Sequence, residues 1–370
     1  MVKKLGMLMV GLLILTLVCS SGWAQVEEVE DFSWDWSGKE APFLDLHKEI
    51  IIFDCLSGGE GFIDEWIAGG ATVVSPTIRA MRHETIDSIG HWLSLIRGRS
   101  DLMQVTKVED FYRAKREGKL GILLGFQDTK AIGLDLNLID VYEQLGVKII
   151  QIAYNTQNFV GMGCLVEEDT GLTPFGRKAV KKMNEAGITI SLSHTGLQTV
   201  RDVIEVSEKP VFYTHANSRV VCDNPRNIPD DIAILVAEQG GVIGVNGYPA
   251  FVAKEKEHPT IDDMIDHIDY FVKLVGIDHV GLGIDYWSGQ AGIASKEGQI
   301  RTYNRMIESG AWTKEAYPYA LNYYPEGMEM PSGIPNLTKG LLERGYSEED
   351  IEKIWGLNFI RVFEETWKEW

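Results

Sequence analysis

Short apolar runs recur along the chain, and most are followed by a polar or glycine-containing turn and then by a segment with helical spacing. Most of the runs are rich in Val and Ile and almost continuously apolar, which is typical of strands buried on both faces of a parallel sheet. The pattern predicts strands at Glu49–Asp54, Ala71–Pro76, Gly121–Gln127, Val147–Tyr154, Ile188–His194, Pro210–Ala216, Gly241–Gly247 and His279–Asp285. Helices are predicted between them, for example over Val108–Glu117, Leu138–Leu145, Pro174–Ala186, Leu197–Val206, Asp230–Gln239 and Ile261–Val275.

Strands that alternate with helices in this way predict an α/β fold. The count of eight strands favours a closed (β/α)8 TIM barrel over a doubly wound open sheet. Most of the predicted strands end on, or next to, a side chain capable of chemistry: Asp54, Gln127 with Asp128, Tyr154, His194, His215 and Asp285. Because the C-terminal strand ends of a barrel converge on one face, where active sites lie, the sequence predicts an enzyme-like site there.

The chain outside the strands and helices divides into segments of different character. The first 24 residues carry Lys3 and Lys4, then an apolar run, then Gly22-Trp23-Ala24, which is the pattern of a cleaved signal peptide. Residues 25–45 form an acidic, Trp-rich extension, and 46–370 form the barrel domain, which ends in a C-terminal helix. Two long segments follow strand ends, at 155–173 and 286–336, and segments of this length are usually lids or partner surfaces. Packing or a dimer contact is an equally open interpretation of the second.

The signal predicts an exported protein, periplasmic or extracellular. Its apolar run, Gly6–Val18, is too short for a comfortable membrane span, so the mature chain is expected to have none. Cys19 raises the alternative of a lipoprotein, which Val18 disfavours because lipoprotein signals have a small residue before the cysteine. After cleavage an odd number of cysteines remains, so no framework of disulfides is expected.

The formal net charge of −19 argues against some partners. No basic run could follow a phosphate backbone, so nucleic-acid binding is not expected. An anionic membrane surface would repel the protein. The simplest interpretation of the acidity is solubility.

Four side chains near the predicted mouth have properties that suit hydrolysis. His194 and His215 end neighbouring strands, and two neutral imidazoles there can bind one zinc ion. Asp285 ends the last strand and could be a third ligand or a general base. Arg226 follows the sixth strand, where a guanidinium suits capture of a carboxylate. Each also has a structural alternative: a core histidine, a helix cap or a loop salt bridge.

In the order and spacing of its motifs, the chain resembles the membrane dipeptidase family of zinc peptidases. The resemblance covers roughly residues 45–366. It is carried by the segments Gly69–Val74, Leu192–His194, Thr214–His215, Asn224–Asp230, Gly283–Asp285, Ser347–Ile351 and Gly356–Val362. The resemblance implies a metal-dependent hydrolase barrel, a dipeptide substrate held by Arg226, and a possible homodimer.

The chain also departs from that family. Leu56 and Gly58 stand where the family has its first metal-binding His and Asp, and Gln127 stands where it has a glutamate that bridges two metals. A further family histidine is Tyr154 here. Only His194, His215 and Asp285 remain as matched ligands, so a one-metal site is expected, with Asp54 or Asp128 as other candidates for a third ligand. Cys55 is a weaker alternative.

Three functions follow from these residues. The first is a one-zinc hydrolase of dipeptides or similar small amides that carry a carboxylate. In it Asp285 accepts a proton, Tyr154 or Gln127 stabilises the oxyanion, and Tyr154 with Arg226 binds substrate. The second is an inactive barrel, without a metal, that binds a small carboxylate or a partner protein. The third is another hydrolase activity, such as opening a lactone or lactam.

Overall fold

Parallel strands form the centre of the computed structural model, which describes residues 28–78, 80–81 and 84–368. The strands are short, and their side chains are almost entirely buried. In chain order they are β1 Phe53–Ser57, β2 Val73–Ile78, β3 Leu102–Gln104, β4 Leu120–Ile122, β5 Leu124–Phe126, β6 Val147–Gln151, β7 Thr189–Ser191, β8 Ile243–Val245 and β9 Val280–Leu282.

Hydrogen bonds close these strands into a barrel. β1 pairs with β2, which pairs with β4 and β5 as one interrupted strand, and β6 and β7 follow. Single parallel bridges at Phe212 and Tyr213 connect β7 to β8, which pairs with β9. The backbone N–H of Asp285 then donates to the carbonyl of Leu56 at 2.9 Å, which joins the end of β9 to β1. The predicted (β/α)8 class is confirmed.

The strand bounds correct the sequence prediction at several places, and β6, β7 and β9 end three residues before the predicted ends at Tyr154, His194 and Asp285. The predicted strand Glu49–Asp54 begins too early, because Pro42 starts a helix that includes Glu49, and the strand runs on to Ser57. The predicted strand Pro210–Ala216 has only two bridged residues, so its ladder is irregular. The predicted Gly121–Gln127 is divided into β4 and β5 at Leu123, and β3 was not predicted.

Helices cover the outside of the barrel, and the six that the sequence predicted agree with the structure to within one residue at each end. Two of them have side-chain capping boxes that fix their starts, at Thr260 with Asp263 and at Ser347 with Asp350. The helices are α1 Pro42–Glu49, α2 Ile63–Ala68, α3 Thr85–Gly98, α4 Glu109–Glu117, α5 Asn137–Gln144, α6 Pro174–Ala186, α7 Leu197–Val206, α8 Asp230–Glu238, α9 Pro249–Val252, α10 Ile261–Val275, α11 Lys296–Glu308, α12 Pro335–Arg344, α13 Glu348–Glu352 and α14 Asn358–Thr366.

An aromatic cluster packs α14 against the barrel, away from the strand ends that carry the polar groups. Phe359 and Phe363 of α14 contact Phe53 and Phe212 edge to face, with ring centroids 5.4–5.8 Å apart. A Cβ at Gly281 would lie 2.4 Å from the Phe359 ring, so glycine there makes room for it. This packing leaves the opposite end of the barrel free for the site.

The N-terminal extension and the long segment after β9 contact each other. The backbone N–H of Trp34 donates to the Ser332 hydroxyl at 2.8 Å, and the Trp36 indole donates to the Ser332 carbonyl at 2.7 Å. The segment 286–336 is also partly helical, since it contains α11. The predicted signal peptide lies outside the described residues. In the described part of the chain, no helix is long and apolar enough to cross a membrane.

We expect acid to destabilise the fold through His267, which is buried in α10. Its Nδ1 accepts the Ser218 backbone N–H at 3.2 Å, and its Nε2 donates to the Val252 carbonyl at 2.8 Å, which fixes the neutral form. Burial lowers the pKa of His267 to about 4. Between pH 6.5 and pH 4 the unfolded chain therefore binds a proton at this residue and the folded protein does not. The contribution of His267 to the free energy of unfolding is complete above pH 6.5, and about 3 kcal/mol of it is lost as the pH falls to 4.

Urea unfolding at pH 7 and pH 4.5 tests this expectation. The His267→Gln variant should be less stable at pH 7 because the Ser218 N–H loses its acceptor. Its free energy of unfolding should then fall less steeply with acid than that of the parent. Equal losses in the two proteins would contradict the assignment.

Candidate active site

The polar strand ends meet at one mouth of the barrel, and three of the residues there have an unusual backbone. Asn155, His194 and Asp285 have φ of +56°, +61° and +67°, and they are the only non-glycine residues of the described chain with positive φ. Such a conformation costs about 1–2 kcal/mol per residue, and it persists where the surrounding structure enforces it. All three therefore hold their side chains at defined positions in the mouth.

The two histidines are buried and held by one ring nitrogen each. Asn155 donates from Nδ2 to the Ala311 carbonyl, so its Oδ1 accepts from His194 Nδ1 at 2.7 Å. His215 Nδ1 bonds the Thr214 hydroxyl at 2.9 Å, and the two imidazole centroids lie 4.9 Å apart. Burial, and next the charge of Arg226, lowers the pKa of both imidazoles well below the usual range. Both rings are thus neutral, and both Nε2 atoms are buried without a hydrogen-bond partner.

Asp285 lies beside this pair. Its Oδ2 is 4.0 Å from His215 Nε2 and accepts a hydrogen bond from Asn246 Nδ2 at 3.1 Å. Burial raises its pKa to about 7, although Arg226 and the Asn246 bond act in the opposite direction. A carboxyl group with this pKa is protonated in about half of the molecules at neutral pH, which suits proton transfer.

Tyr154 and Gln127 stand at the same mouth. The Tyr154 ring stacks on His194 with centroids 4.0 Å apart, and its hydroxyl accepts the Trp312 indole N–H at 3.3 Å. Burial raises the Tyr154 pKa to about 12, so the group keeps its proton and can donate it in a hydrogen bond. Gln127 Oε1 accepts from the Thr77 hydroxyl at 3.2 Å, which leaves its amide N–H groups free to donate into the mouth.

Arg226 is more deeply buried than the sequence suggested. Only 3% of its surface is exposed, its guanidinium carbon lies 5.1 Å from the Phe251 ring centroid, and Tyr317 and Cys164 are its neighbours. Its Nε and one terminal nitrogen have no hydrogen-bond partner. It forms none of the loop salt bridges with Asp223, Asp230 or Asp231 that its sequence context allowed. Because Nε carries one N–H and the terminal nitrogen carries two, three N–H groups of this buried cation lack an acceptor, and they favour binding of an anion.

A cavity of about 280 Å³ opens onto Gln127, Tyr154, His194 and Asp285, whereas His215 and Arg226 lie behind its walls and do not line it. Sequence reasoning named four of the side chains that line it, Gln127, Tyr154, His194 and Asp285, and missed most of the others. Asn155 and Asn246, which orient His194 and Asp285, stand next to predicted strand ends, so the rule that polar strand ends mark the site could have found them. The remaining lining residues are Ser57, Gly58, Gly59, Thr77, Tyr248, Tyr286, Trp287, Ser288, Trp312 and Tyr317.

The positions where metal ligands were expected to be missing are filled by protein. A Cβ on Gly58 would lie 2.2 Å from the ring of Phe62 and 2.8 Å from the Tyr286 carbonyl oxygen, and Leu56 is buried. Asp54 Oδ1 accepts the Ile284 N–H at 2.7 Å, which ties this carboxylate to the backbone of the last strand. No room is left here for a longer side chain at residue 58 unless Phe62 moves.

The donors that remain fit one metal ion better than two. Within the described residues, no group of three His, Cys, Asp or Glu side chains is placed to hold a metal. The free Nε2 atoms of His194 and His215 fit as two ligands, because both are neutral, buried and unpaired. Asp285 is the carboxylate beside them. Asp128 accepts from Asn158 and pairs with Lys130 and does not line the cavity.

Comparison with known proteins gives one consistent result. A family model described as membrane dipeptidase, peptidase family M19, matches residues 69–312 and 318–369. An uncharacterized dipeptidase of Schizosaccharomyces pombe is 31% identical over 247 residues, which are 66% of this chain and 53% of that protein. The chain spans little more than half the length of the curated relatives it matches, 53–58% in four cases.

Two solved structures extend the comparison to the fold. The crystal structure of an amidohydrolase from Pseudomonas aeruginosa is 34% identical, with a TM-score of 0.80 over 89% of this chain and 100% of the other. A metallo peptidase from Rhodobacter sphaeroides, liganded with a phosphinate mimic of the dipeptide L-Ala-D-Ala, is 19% identical. Its TM-score is 0.69 over 86% of this chain and 99% of the other. At that identity the second likeness shows the fold alone.

Proposed function

Because the chain belongs to the membrane dipeptidase family, peptidase family M19, we propose that it hydrolyses dipeptides or similar small amides that carry a free carboxylate. The observation that carries the proposal is the arrangement around the two histidines. The two neutral imidazoles adjoin each other with unpaired Nε2 atoms, and His215 Nε2 lies 4.0 Å from Asp285, whose pKa is about 7. His194 and Asp285 line one cavity. Such an arrangement lowers the stability of the fold, and features of this kind cluster at binding and catalytic sites.

Metal dependence follows from the family, and we propose a single zinc ion held by His194 and His215. Imidazole nitrogens are among the ligands that zinc prefers. When bound, such an ion acts as a Lewis acid toward a carbonyl oxygen. Asp285 is the third ligand or, where it stays free, the proton acceptor.

The remaining roles belong to side chains whose hydrogen-bonding capacity is still unused. Asp285 accepts a proton from the attacking water, and its pKa of about 7 matches neutral conditions. Tyr154 keeps its own proton and donates to the oxyanion that develops on the substrate, with the Gln127 amide as a second donor. Arg226 does not line the cavity, but its neighbour Tyr317 does, and the unpaired Nε and terminal nitrogen of Arg226 attract the substrate carboxylate toward that wall.

Substrate size follows from the cavity. Its volume of about 280 Å³ lies near the lower end of ordinary small-molecule sites. A dipeptide fits that scale, and the phosphinate dipeptide mimic bound by the Rhodobacter sphaeroides metallo peptidase is of the same class. Longer peptides would have to open the segment 286–336.

Metal content and hydrolysis, measured on the same purified protein, test the proposal. We expect about one zinc per chain by elemental mass spectrometry, and release of amino acids from L,L- or L,D-dipeptides. The double variant His194→Ala/His215→Ala should lose both. Chains that stay metal-free after zinc is offered at neutral pH, and that cleave no dipeptide, would refute the proposal.

That negative result would favour the second candidate, a barrel that binds a small carboxylate without cleaving it. Two observations support this candidate. The space beside Gly58 is filled, and among the described residues no group of three metal-binding side chains is present. Dipeptide binding without turnover, detected by calorimetry, would support it.

We also propose export, with residues 1–24 removed, and a homodimer. Export rests on the Lys3–Ala24 signal pattern alone. The mass of the protein recovered from the expressing cells would test it, since Gln25 should be the first residue. Sedimentation of the purified chain would test the dimer, and a monomer at all concentrations would exclude it.

A further inference from the structure

The cavity beside the histidines has aromatic walls that the proposed chemistry leaves without a role. Segment 286–336 supplies Trp287, Trp312 and Tyr317 to these walls, and Tyr248 comes from the turn before α9. The Trp312 and Tyr317 rings stack in parallel with centroids 4.1 Å apart, and Trp287 lies against Trp312 at 5.2 Å. Tyr248 meets both members of the stack edge to face. The rings form one continuous apolar surface.

Two hydrogen-bond donors in this surface have no partner. The Trp287 Nε1 and the Tyr248 hydroxyl are both buried and unpaired. Buried polar groups are almost always hydrogen-bonded, because leaving one unpaired is destabilising. Two unpaired donors on rings that line the same cavity therefore indicate a ligand that brings acceptor oxygens to them.

The lining also limits the charge of that ligand's side chain. Among the described residues, no Lys, Arg or Glu lines the cavity, and Asp285 is its one carboxyl group. An aromatic surface buries apolar area well, and it holds a planar ring through stacked or edge-to-face contacts. An acidic side chain would lose its hydration there without meeting a cation in the lining, and a lysine side chain would meet only Asp285, which the proposed chemistry already uses.

We propose that Trp287, Trp312, Tyr317 and Tyr248 form a specificity pocket for a dipeptide with an aromatic or large aliphatic side chain. The Trp287 indole N–H and the Tyr248 hydroxyl donate to a carbonyl or carboxylate oxygen of the dipeptide. Its side chain packs on the Trp312–Tyr317 stack. The inference rests on the proposed function for the identity of the ligand, but the binding preference does not require turnover.

Calorimetric titration of the full chain, dialysed against a chelator so that metal-dependent cleavage cannot interfere, tests the pocket. The probes are Phe-Gly, Gly-Phe, Ala-Gly, Gly-Ala, Lys-Gly and Gly-Lys. We expect at least one phenylalanine dipeptide to bind about 10-fold or more tightly than its alanine and lysine counterparts. Absence of binding by all six, or equal affinities, would overturn the proposal.

Two variants separate the indole N–H from the ring. Trp287→Phe keeps a ring and removes the N–H, so it should weaken all the dipeptides that bind by roughly 3- to 10-fold and preserve their ranking. Trp287→Ala should also reduce the preference for phenylalanine. The matched control is Tyr213→Phe, which removes a hydroxyl that is equally buried and unpaired but lies outside the cavity. Equal affinities in Trp287→Phe and Tyr213→Phe would remove Trp287 from the pocket.

These outcomes are independent of the test for hydrolysis. A metal-loaded protein that cleaves dipeptides without any side-chain preference would refute the pocket and leave the proposed function standing. A protein that never cleaves them, but binds phenylalanine dipeptides most tightly, would refute the hydrolase and leave the pocket standing.

Discussion

Replacing Asp285 with asparagine is expected to remove nearly all hydrolysis while making the metal-free protein more stable at neutral pH. A positioned proton acceptor contributes roughly 10²- to 10⁴-fold to a rate, and an amide cannot take its place. The shape of the side chain is preserved, and Asn246 can still donate to the oxygen that remains. The loss should therefore lie in kcat rather than in folding.

The gain in stability follows from the pKa of Asp285, which burial raises to about 7 from an ordinary value of 3.8. Between these two pH values the unfolded chain releases a proton that the folded protein retains. Stability therefore falls as the pH rises from about 4 to about 7 and is level above that range. The penalty above pH 7 is about 2–4 kcal/mol, and Asp285→Asn does not have it.

Urea unfolding of the chelator-treated proteins at pH 4, 5.5, 7 and 8.5 measures the difference. The variant should match the parent at pH 4 and exceed it increasingly up to about pH 7. Asp128→Asn is the control, because Asp128 accepts from Lys130 N and Asn158 and pairs with the Lys130 ammonium. The Asp128→Asn variant should therefore have a lower free energy of unfolding than the parent. A variant Asp285→Asn that is less stable than the parent at pH 8.5 would contradict the assigned pKa.

The sequence predicted the barrel because its signals are local and repeated. Most of the predicted strands are apolar runs rich in Val and Ile, and six of the helices carry a 3.6-residue period along their length. The same rule placed His194, His215 and Asp285 at one mouth, since parallel strand ends must converge. The strand-end rule could not predict the irregular hydrogen bonding at Phe212 and Tyr213, because pairing there depends on the neighbouring strands and not on these residues themselves.

Other parts of the site depend on long-range contacts that no local pattern records. Trp287 and Trp312 are 25 positions apart, in a segment for which no helix or strand was predicted, yet their rings are 5.2 Å apart. The sequence shows that residue 58 is a glycine, but it does not show that the Phe62 ring fills the space beside it. The depth of Arg226 was also hidden, because the charged residues near it in sequence made a loop salt bridge equally plausible.

Arg226→Met is the second change with a large expected effect, and it should separate binding from stability. Hydrogen bonds to a charged group contribute about 1.5–3 kcal/mol, so dipeptides with a free carboxylate should bind about 10- to 100-fold more weakly. The fold should be as stable as before or more stable. Methionine has a similar volume, and the parent keeps a buried guanidinium with two unpaired nitrogens.

The preference for the free carboxylate over the C-terminal amide of one dipeptide gives the sharpest measurement. The parent should discriminate between the two forms and Arg226→Met should not. Arg219→Met is the matched control, because the donors of Arg219 already bond the Asn227 and Pro225 carbonyls, so its loss should weaken the loop and leave the discrimination intact. The charge of Arg226 also lowers the pKa of Asp285, so its removal should move that pKa above 7 and shift the pH dependence of stability with it. If Arg226→Met keeps its preference for the carboxylate, the guanidinium serves the interior of the barrel and not the substrate.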